Sequence, residues 1–330
     1  MITHTYQNVD FKLTEGRLPS SSLQMPCAAT GVTFTVSDVT DASATCQKEA
    51  STLYLGNALE VLSALPDGFV QTVVTSPPYW GLRDYGIVGQ LGLEKDVDSF
   101  ISHLADVFEQ VRRILRPDGT FWLNIGDSYT SGNRGWRAPD RKNPARAMSL
   151  RPPTPDGLKD KDLIGIPWRL AFALQAQGWY LRSEVIWRKP NVQPESVRDR
   201  PTRDHEQVFL FSKSERYTYN VDAVKGPNDR RLRTVWDIPT LAAPEASGHF
   251  ATFPSELVRQ CLEITSAAGD IVLDPFLGSG TTALVAGQSG RRFIGVELNP
   301  EFLEMSRRRL LAAGFSDMTA CRQEGQYGIV

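Results

Sequence analysis

The sequence predicts an α/β fold: a doubly wound, mostly parallel sheet with helices on both faces. Three observations predict it. From Ser51 onward, short β-branched runs alternate with helix-length amphipathic segments, the pattern of successive strand–helix–strand units. One of these strands, DIVLD (270–274), runs into a glycine-rich turn and a helix, the place where such sheets bind ligands. The 330 residues are 41% hydrophobic and include 7 Trp and 15 Phe, enough to bury one large core, which excludes a disordered or fibrous chain.

The elements follow in order. Residues 1–50 are rich in Ser, Thr, Ala and Gln without a sustained period and are expected to form a flexible arm ahead of one domain over 51–330. Thr52 to Leu55 reads as a strand, followed by a helix closed at Pro66-Asp67-Gly68. Val70 to Thr75 is a second strand, stopped by two prolines that cannot continue a ladder. From Ser99, the residues Phe100, Leu104, Val107, Phe108, Val111, Ile114 and Leu115 recur at helical spacing. Pro117-Asp118-Gly119 then turns the chain into the strand TFWLNIGD (120–127). Over 128–165 the pattern dissolves into Gly, Pro, Arg and Lys, and so long a loop in a compact domain signals either a function or disorder. PWRLAFALQAQG (167–178) reads as a helix, and WYLRSEVIWRK (179–189) and QVFLFSK (207–213) as strands. A second irregular stretch, from about Tyr219 to Phe250, marks an inserted segment over 217–248. The last third returns to α/β: a helix from Ser255, the strand DIVLD, a helix from Thr281 and the strand RFIGVEL (292–298). A final helix is capped by Asn299 with Pro300 at its first position, and stopped by Gly314.

The net charge of −2 hides a segregation. Between Ser128 and Trp236 there are 21 Lys and Arg against 12 Asp and Glu, which leaves −11 for the remainder. A basic segment in an acidic frame is the footprint of one face that meets a polyanion, with a solvated, loop-rich surface as the plainer alternative. Trp136 among Arg134, Arg137, Arg141 and Lys142 combines an aromatic ring with cations, as a nucleic-acid clamp does. Arg198, Arg200 and Arg203 are further candidate phosphate contacts. No apolar run approaches the ~18 residues of a membrane span, and no charged start followed by an apolar stretch marks a secretion signal. The cysteines Cys27, Cys46, Cys261 and Cys321 are scattered, without a CxxC pair or a nearby His at ligand spacing. A reduced cytoplasmic compartment, no membrane and no metal site are expected.

The glycine-rich turn is DPFLGSGTT, from Asp274 to Thr282. Glycines let a backbone approach a ligand, and the following helix offers free N–H groups. A phosphate-binding P-loop would need GxxxxGK[ST], and no lysine stands in this turn; a dinucleotide fingerprint would need glycine where Ala283 stands. S-adenosyl-L-methionine is the third ligand class. Asp274 at the strand tip can hold a methionine ammonium, Phe276 can cover an adenine, and Pro275, Gly278, Ser279, Gly280 and Thr281 complete the turn. Glu297, about twenty residues on at the end of RFIGVEL, can take the ribose hydroxyls.

Ser76-Pro77-Pro78-Tyr79 stands at the tip of the other β-branched strand. An exocyclic amine on a nucleobase is a poor nucleophile, since its lone pair is delocalised into the ring. Acceptors aimed at its N–H bonds pull the nitrogen toward tetrahedral geometry and free that pair. The Ser76 hydroxyl and the Pro77 carbonyl can do so on a backbone stiffened by proline, while Tyr79 stacks on a base that has left the helix. His205 reads as an ordinary polar residue at a strand entry, and Trp168, Trp179 and Trp187 as core.

SPPY together with DPFLGSGTT resembles the bacterial DNA amino-methyltransferases, which methylate N4 of cytosine or N6 of adenine. The catalytic motif precedes the cofactor motif, with the basic region between them, so the order resembles the β group; the likeness covers roughly Thr52 to Leu311. It implies a Rossmann-like, seven-stranded methyltransferase fold, S-adenosyl-L-methionine as methyl donor, and target recognition within the inserted segments. It also implies that His249 to Glu256, with Phe253, closes over the methionine end of the cofactor. Asn57 stands where the family usually has an acidic residue near the adenine amine. The first tetrapeptide position is usually Asp in adenine enzymes and often Ser in cytosine-N4 enzymes, so Ser76 implies cytosine N4, with adenine N6 as the alternative. Double-stranded DNA is the implied partner, and the resemblance admits a cognate restriction endonuclease and a homodimer, in a bacterial or phage-encoded, nucleoid-associated enzyme. The rival classes are an RNA methyltransferase and a DNA-binding relic without activity, and intact Ser76, Pro77 and glycines speak against the relic. If DIVLD and the strand before SPPY are neighbours, their tips lie ~5 Å apart and the two motifs meet.

Overall fold

The computed structural model describes residues 24–26, 33–38, 51–130, 135–136, 152–192, 195–240, 253–316 and 318–322. Eleven strands join in one sheet: β1 (Gln24–Pro26), β2 (Thr33–Asp38), β3 (Ser51–Leu55), β4 (Val70–Thr75), β5 (Leu115–Ile125), β6 (Tyr180–Arg188), β7 (His205–Ser212), β8 (Val235–Asp237), β9 (Ile271–Asp274), β10 (Arg292–Glu297) and β11 (Met318–Arg322). Their order is β1-β2-β11-β3-β10-β9-β4-β5-β7-β6-β8. The expected seven strands form the centre, β3-β10-β9-β4-β5-β7-β6, with β7 antiparallel to both neighbours and the other pairs parallel. Short strands extend both edges: β11, β2 and β1 beyond β3, and β8 beside β6.

The helices are α1 (Ala58–Ala64), α2 (Val97–Ile114), α3 (Ile166–Ala176), α4 (Ser255–Thr265), α5 (Thr281–Gln288) and α6 (Pro300–Ala312). They divide between two cores, because successive strand residues point to opposite faces. Val73, Leu273, Phe121 and Tyr54 pack with Leu62, Phe100, Leu104, Phe108 and Leu170 of α1, α2 and α3. Val74, Val272, Trp122 and Leu53 pack with Leu257, Val258, Ala283, Val285 and Leu310 of α4, α5 and α6. All six residues of β4 are buried, as expected for a strand covered on both sides. Each large side chain fully buried in this way is worth roughly 1.5–3 kcal/mol.

The local readings meet the structure with small shifts. Helix α2 starts at Val97, two residues before Ser99, because Asp96 caps it, Oδ1 accepting from Ser99 N at 2.7 Å. Pro117-Asp118-Gly119 is not a turn ahead of a strand but an irregularity inside β5: Val70 pairs with Leu115, and Thr72 already with Thr120. Strand β8 lies within the stretch read as irregular, since three residues are too few to show a period. Asn299 caps α6 by accepting from Glu301 N at 2.9 Å, with Pro300 in its first turn. Trp179 and Trp187 are buried, and Trp168 packs half-buried against the core. Among the described residues no helix is long and apolar enough to cross a membrane.

One pairing decides the site. β4 and β9 are parallel neighbours, Thr72 beside Val272 and Val73 beside Leu273. From β4 the chain crosses by α2 to β5 on one side, and from β9 by α5 to β10 on the other. The strand order reverses between them, so a crevice opens beyond their carboxyl ends.

Candidate active site

Crossing that crevice, Thr75 Oγ1 at the end of β4 donates to Asp274 Oδ1 at the end of β9, at 2.6 Å. Phe276 N donates to the same oxygen at 3.1 Å, and Thr282 Oγ1 donates back to the carbonyl of Val74 at 3.1 Å. The two motifs, about two hundred residues apart in the chain, are thus locked at their roots. A cavity of about 980 Å³ lies above this lock, room for a nucleoside-sized ligand and a base side by side. Ser76, Pro77, Pro78 and Tyr79 line it on one side. Pro275, Phe276, Gly278, Ser279, Thr281 and Glu297 line the other, and Asn57 and Phe253 also border it. Asp274 and Gly280 stand behind that wall.

The turn owes its shape to two glycines in the left-handed region, Gly278 at φ +53° and Gly280 at φ +77°. At Gly280 a Cβ would come within 2.8 Å of Ser306 Cβ on α6, so the turn requires the missing side chain as well as the free φ. Arg309 braces the turn from α6, donating to the Ser279 carbonyl at 3.1 Å and to Thr281 Oγ1 at 3.0 Å. No sequence signal pointed to this residue, which sits in the run Arg307-Arg308-Arg309 and reads as part of a solvated helix face.

Glu297 accepts from Gly278 N and Asn299 N, both at 2.8 Å. Burial pushes its carboxyl up to about 7 and that of Asp274 up to about 6. The residues fit S-adenosyl-L-methionine: the Glu297 carboxylate for hydroxyls and the Phe276 ring stand on the cavity wall, and the Asp274 carboxylate lies directly beneath it for an ammonium. Asn57 does not project freely; its Oδ1 caps α1 by accepting from Leu59 N at 2.9 Å.

The raised values carry a prediction. Hydroxyls and an ammonium prefer ionised carboxylates, so binding expels the protons that burial retains. Affinity for S-adenosyl-L-methionine is expected to rise between about pH 5.5 and about pH 7.5 as these groups ionise. Stability of the free chain runs the opposite way. A carboxyl whose folded value exceeds its unfolded one contributes stability that is complete below the ordinary carboxyl range near pH 4 and is lost as pH rises from there through the folded values of about 6 and about 7. Titration calorimetry across the range tests the first statement, and an affinity flat or falling with pH would remove both carboxylates from the binding step.

On the catalytic side, Tyr79 packs against Gly126, where a Cβ would lie 2.5 Å from Cε2 of the ring. Tyr79 OH donates to Glu206 Oε2 at 2.9 Å, and Asn124 Nδ2 donates to the same oxygen at 3.1 Å. Lys189 Nζ reaches Glu206 Oε1 at 2.5 Å while lying 4.3 Å from the centre of the Trp187 ring. Sequence reasoning reached His205 and stopped one residue short of Glu206; the His205 ring lies 3.2 Å from Asp204 Oδ1.

The basic candidates divide. Arg134, Arg137, Arg141 and Lys142 lie outside the described residues, as does His249. Trp136 is exposed. Arg198 is exposed, while Arg200 stacks 3.9 Å from the Tyr129 ring centre and pairs with Glu195 at 2.6 Å. Arg203 is held by Gln207 Oε1 at 3.1 Å and by the His205 carbonyl.

A Rossmann-like sheet with a glycine turn, acidic strand tips and SPPY facing them defines an S-adenosyl-L-methionine-dependent amino-methyltransferase. Comparison with known proteins agrees. The N6/N4 DNA methylase family matches residues 70–308. The type II methyltransferase M.Cfr9I of Citrobacter freundii is 58% identical over 264 residues, 79% of this chain and 87% of its own length. M.SmaI of Serratia marcescens is 54% identical over 265 residues, 78% of this chain and 90% of its own. Among solved structures, a DNA modification methylase of Thermus thermophilus superposes with a TM-score of 0.60 at 26% identity, covering 83% of this chain and 100% of its own. The cytosine-N4-specific PvuII DNA methyltransferase gives 0.62 at 22%, covering 81% and 89%, a likeness of fold. The chain belongs to the N6/N4 DNA methylase family and is a DNA amino-methyltransferase that uses S-adenosyl-L-methionine.

Proposed function

We propose that the protein methylates N4 of cytosine at a specific site in duplex DNA, with the target base flipped into the cavity between Tyr79 and the glycine turn. The observation that carries this reading is the neutral Ser76 at the first tetrapeptide position, rooted beside Asp274 through Thr75. S-adenosyl-L-methionine, when bound, would supply a methyl carbon on a sulfonium to the amine lone pair, the sulfur keeping the bond pair as a thioether and the methylated nitrogen readily losing one proton. Ser76 Oγ and the Pro77 carbonyl accept from the base amine and localise that pair; the proline rings hold the carbonyl in place. Asp274, Glu297 and the turn from Pro275 to Thr281 orient the donor, and Phe253 and Asn57 border it. Mass spectrometry of nucleosides from product DNA is expected to show N4-methylcytosine; N6-methyladenine in its place would transfer the chemistry to the adenine amine and leave fold and donor standing.

The basic region supplies the grip on DNA in this reading, through Arg134, Arg137, Arg141, Lys142 and Arg198, with Arg200 and Arg203 changing partners on binding. Affinity should then fall with salt, with a log–log slope of about −0.9 per phosphate contacted. Reversing Arg134, Arg137 and Arg141 to Glu should weaken specific and non-specific duplexes alike. Binding measured by fluorescence anisotropy that stays constant from low to moderate salt would remove the clamp. A type II enzyme of this kind would act in the cytoplasm on the nucleoid, beside a cognate endonuclease, as a monomer or homodimer. Residues 1–50 would form an arm tied to the sheet edge through β1 and β2, 51–330 the catalytic domain, and 128–165 and 217–248 the DNA-contacting inserts.

A further inference from the structure

A chain of hydrogen bonds runs from Ser76 along the wall of the cavity, through Tyr79 to Glu206. Ser76 Oγ donates to Tyr79 OH at 3.4 Å, and Tyr79 OH donates to Glu206 Oε2 at 2.9 Å. Lys189 holds the other oxygen of that carboxylate, and Asn124 donates to the oxygen that Tyr79 reaches. The first link is long, but catalytic hydrogen bonds commonly shorten when substrate fills a site.

The direction of this chain is not free. An ionised carboxylate only accepts, a phenol has one proton, and a serine hydroxyl has one proton and two lone pairs. Burial pushes the Glu206 carboxyl up, yet the Lys189 ammonium and the hydrogen bonds from Lys189, Tyr79 and Asn124 hold it below its ordinary value. Burial and the Glu206 charge raise Tyr79 well above the ordinary phenol, so its proton stays on. Tyr79 must therefore donate to Glu206 and has only lone pairs left for Ser76. The Ser76 proton then turns to Tyr79, and its lone pairs are presented to the cavity.

We infer that Glu206 is a positioning residue: acting through Tyr79, it fixes the Ser76 hydroxyl as an acceptor toward the base amine. This rests on the proposed acceptor role of Ser76 and holds for either target base. Without Glu206, the Tyr79 proton can turn back to Ser76 and the Ser76 proton toward the cavity, where it opposes the N–H bonds it should receive. The Tyr79 ring would still stack on the base, so the loss falls on turnover and not on binding.

The test is a kinetic cycle of Glu206→Gln, Tyr79→Phe and the double variant, with Ser76→Ala alongside, on plasmid DNA and S-adenosyl-L-methionine. Glu206→Gln and Tyr79→Phe should each lower kcat on the order of 10- to 100-fold, the size of one charge-assisted hydrogen bond, with both KM values within about twofold of wild type. The double variant should be no slower than Tyr79→Phe, because without the phenol oxygen Glu206 no longer reaches Ser76. Equal losses from Glu206→Gln with and without the Tyr79 hydroxyl would make Glu206 merely structural and overturn the inference. Wild-type kcat in either single variant overturns it as well, and Tyr79→Phe leaves the Lys189–Glu206 pair intact should Glu206→Gln not fold. If Ser76→Ala keeps full turnover, the acceptor reading itself fails; if it loses turnover while Glu206→Gln does not, only the role of Glu206 fails.

Discussion

Ser76→Ala is expected to lower kcat on the order of 100- to 1,000-fold, the effect of deleting one preorganised polar group at the reacting centre. S-adenosyl-L-methionine and DNA affinities should change little. The hydroxyl is a partner of the amine chiefly once its lone pair begins to localise, so its removal is felt in the transition state and not in the ground state. The fold does not lean on this hydroxyl: its hydrogen bond is the long one to Tyr79, whereas Thr75, one residue earlier, carries the tie to Asp274. Single-turnover methylation with saturating donor and DNA measures the step directly. A Ser76→Ala enzyme with wild-type single-turnover rate would shift the acceptor role to the Pro77 carbonyl alone.

The parts of this site that sequence alone revealed are those whose chemistry is local. Ser76-Pro77-Pro78-Tyr79 and the turn from Asp274 to Thr282 are contiguous, and each sits where a hydrophobic strand gives way to a constrained backbone. Glu297 was legible because a strand length and one helix fix its offset from the turn. Glu206 was not, since it meets Tyr79 across 127 positions and an acid at the entry of a strand has many uses. Asn124 and Lys189 were hidden in the same way, inside runs that read as strands. The alternation of Val73 and Val74 between two cores, and the neighbourhood of β4 and β9, follow from period-2 patterning and the switch-point rule. Strands β1, β2, β8 and β11 lie outside the run of strand–helix units that carries the pattern, and they pair on the edges that the central strands leave open. Asp274 corrects a simpler picture: its Oδ1 is occupied by Thr75 and Phe276 N, so it joins the two motifs in addition to any role toward the donor.

Gly278→Asp should abolish measurable binding of S-adenosyl-L-methionine while the enzyme remains folded. A Cβ at Gly278 finds its nearest neighbour, the Phe276 carbonyl, at 3.9 Å, and Asp tolerates φ of +53° better than most residues. The fold can therefore accept the substitution, unlike one at Gly280, where Ser306 stands 2.8 Å from the added carbon. The new carboxylate, however, would enter the cavity wall beside Glu297, to which the Gly278 N–H donates. Two acids there would repel, and burial would keep at least one protonated. The acceptor for ribose hydroxyls would be compromised and the space beside the turn filled. A loss of at least about 100-fold in affinity follows from one buried charge left without a partner, roughly 3 kcal/mol or more. Calorimetry reads the affinity, and circular dichroism with thermal unfolding shows whether the sheet is intact. A folded Gly278→Asp protein with wild-type affinity would move the donor out of this turn, since no geometry that places a ligand against Gly278 could absorb that carboxylate.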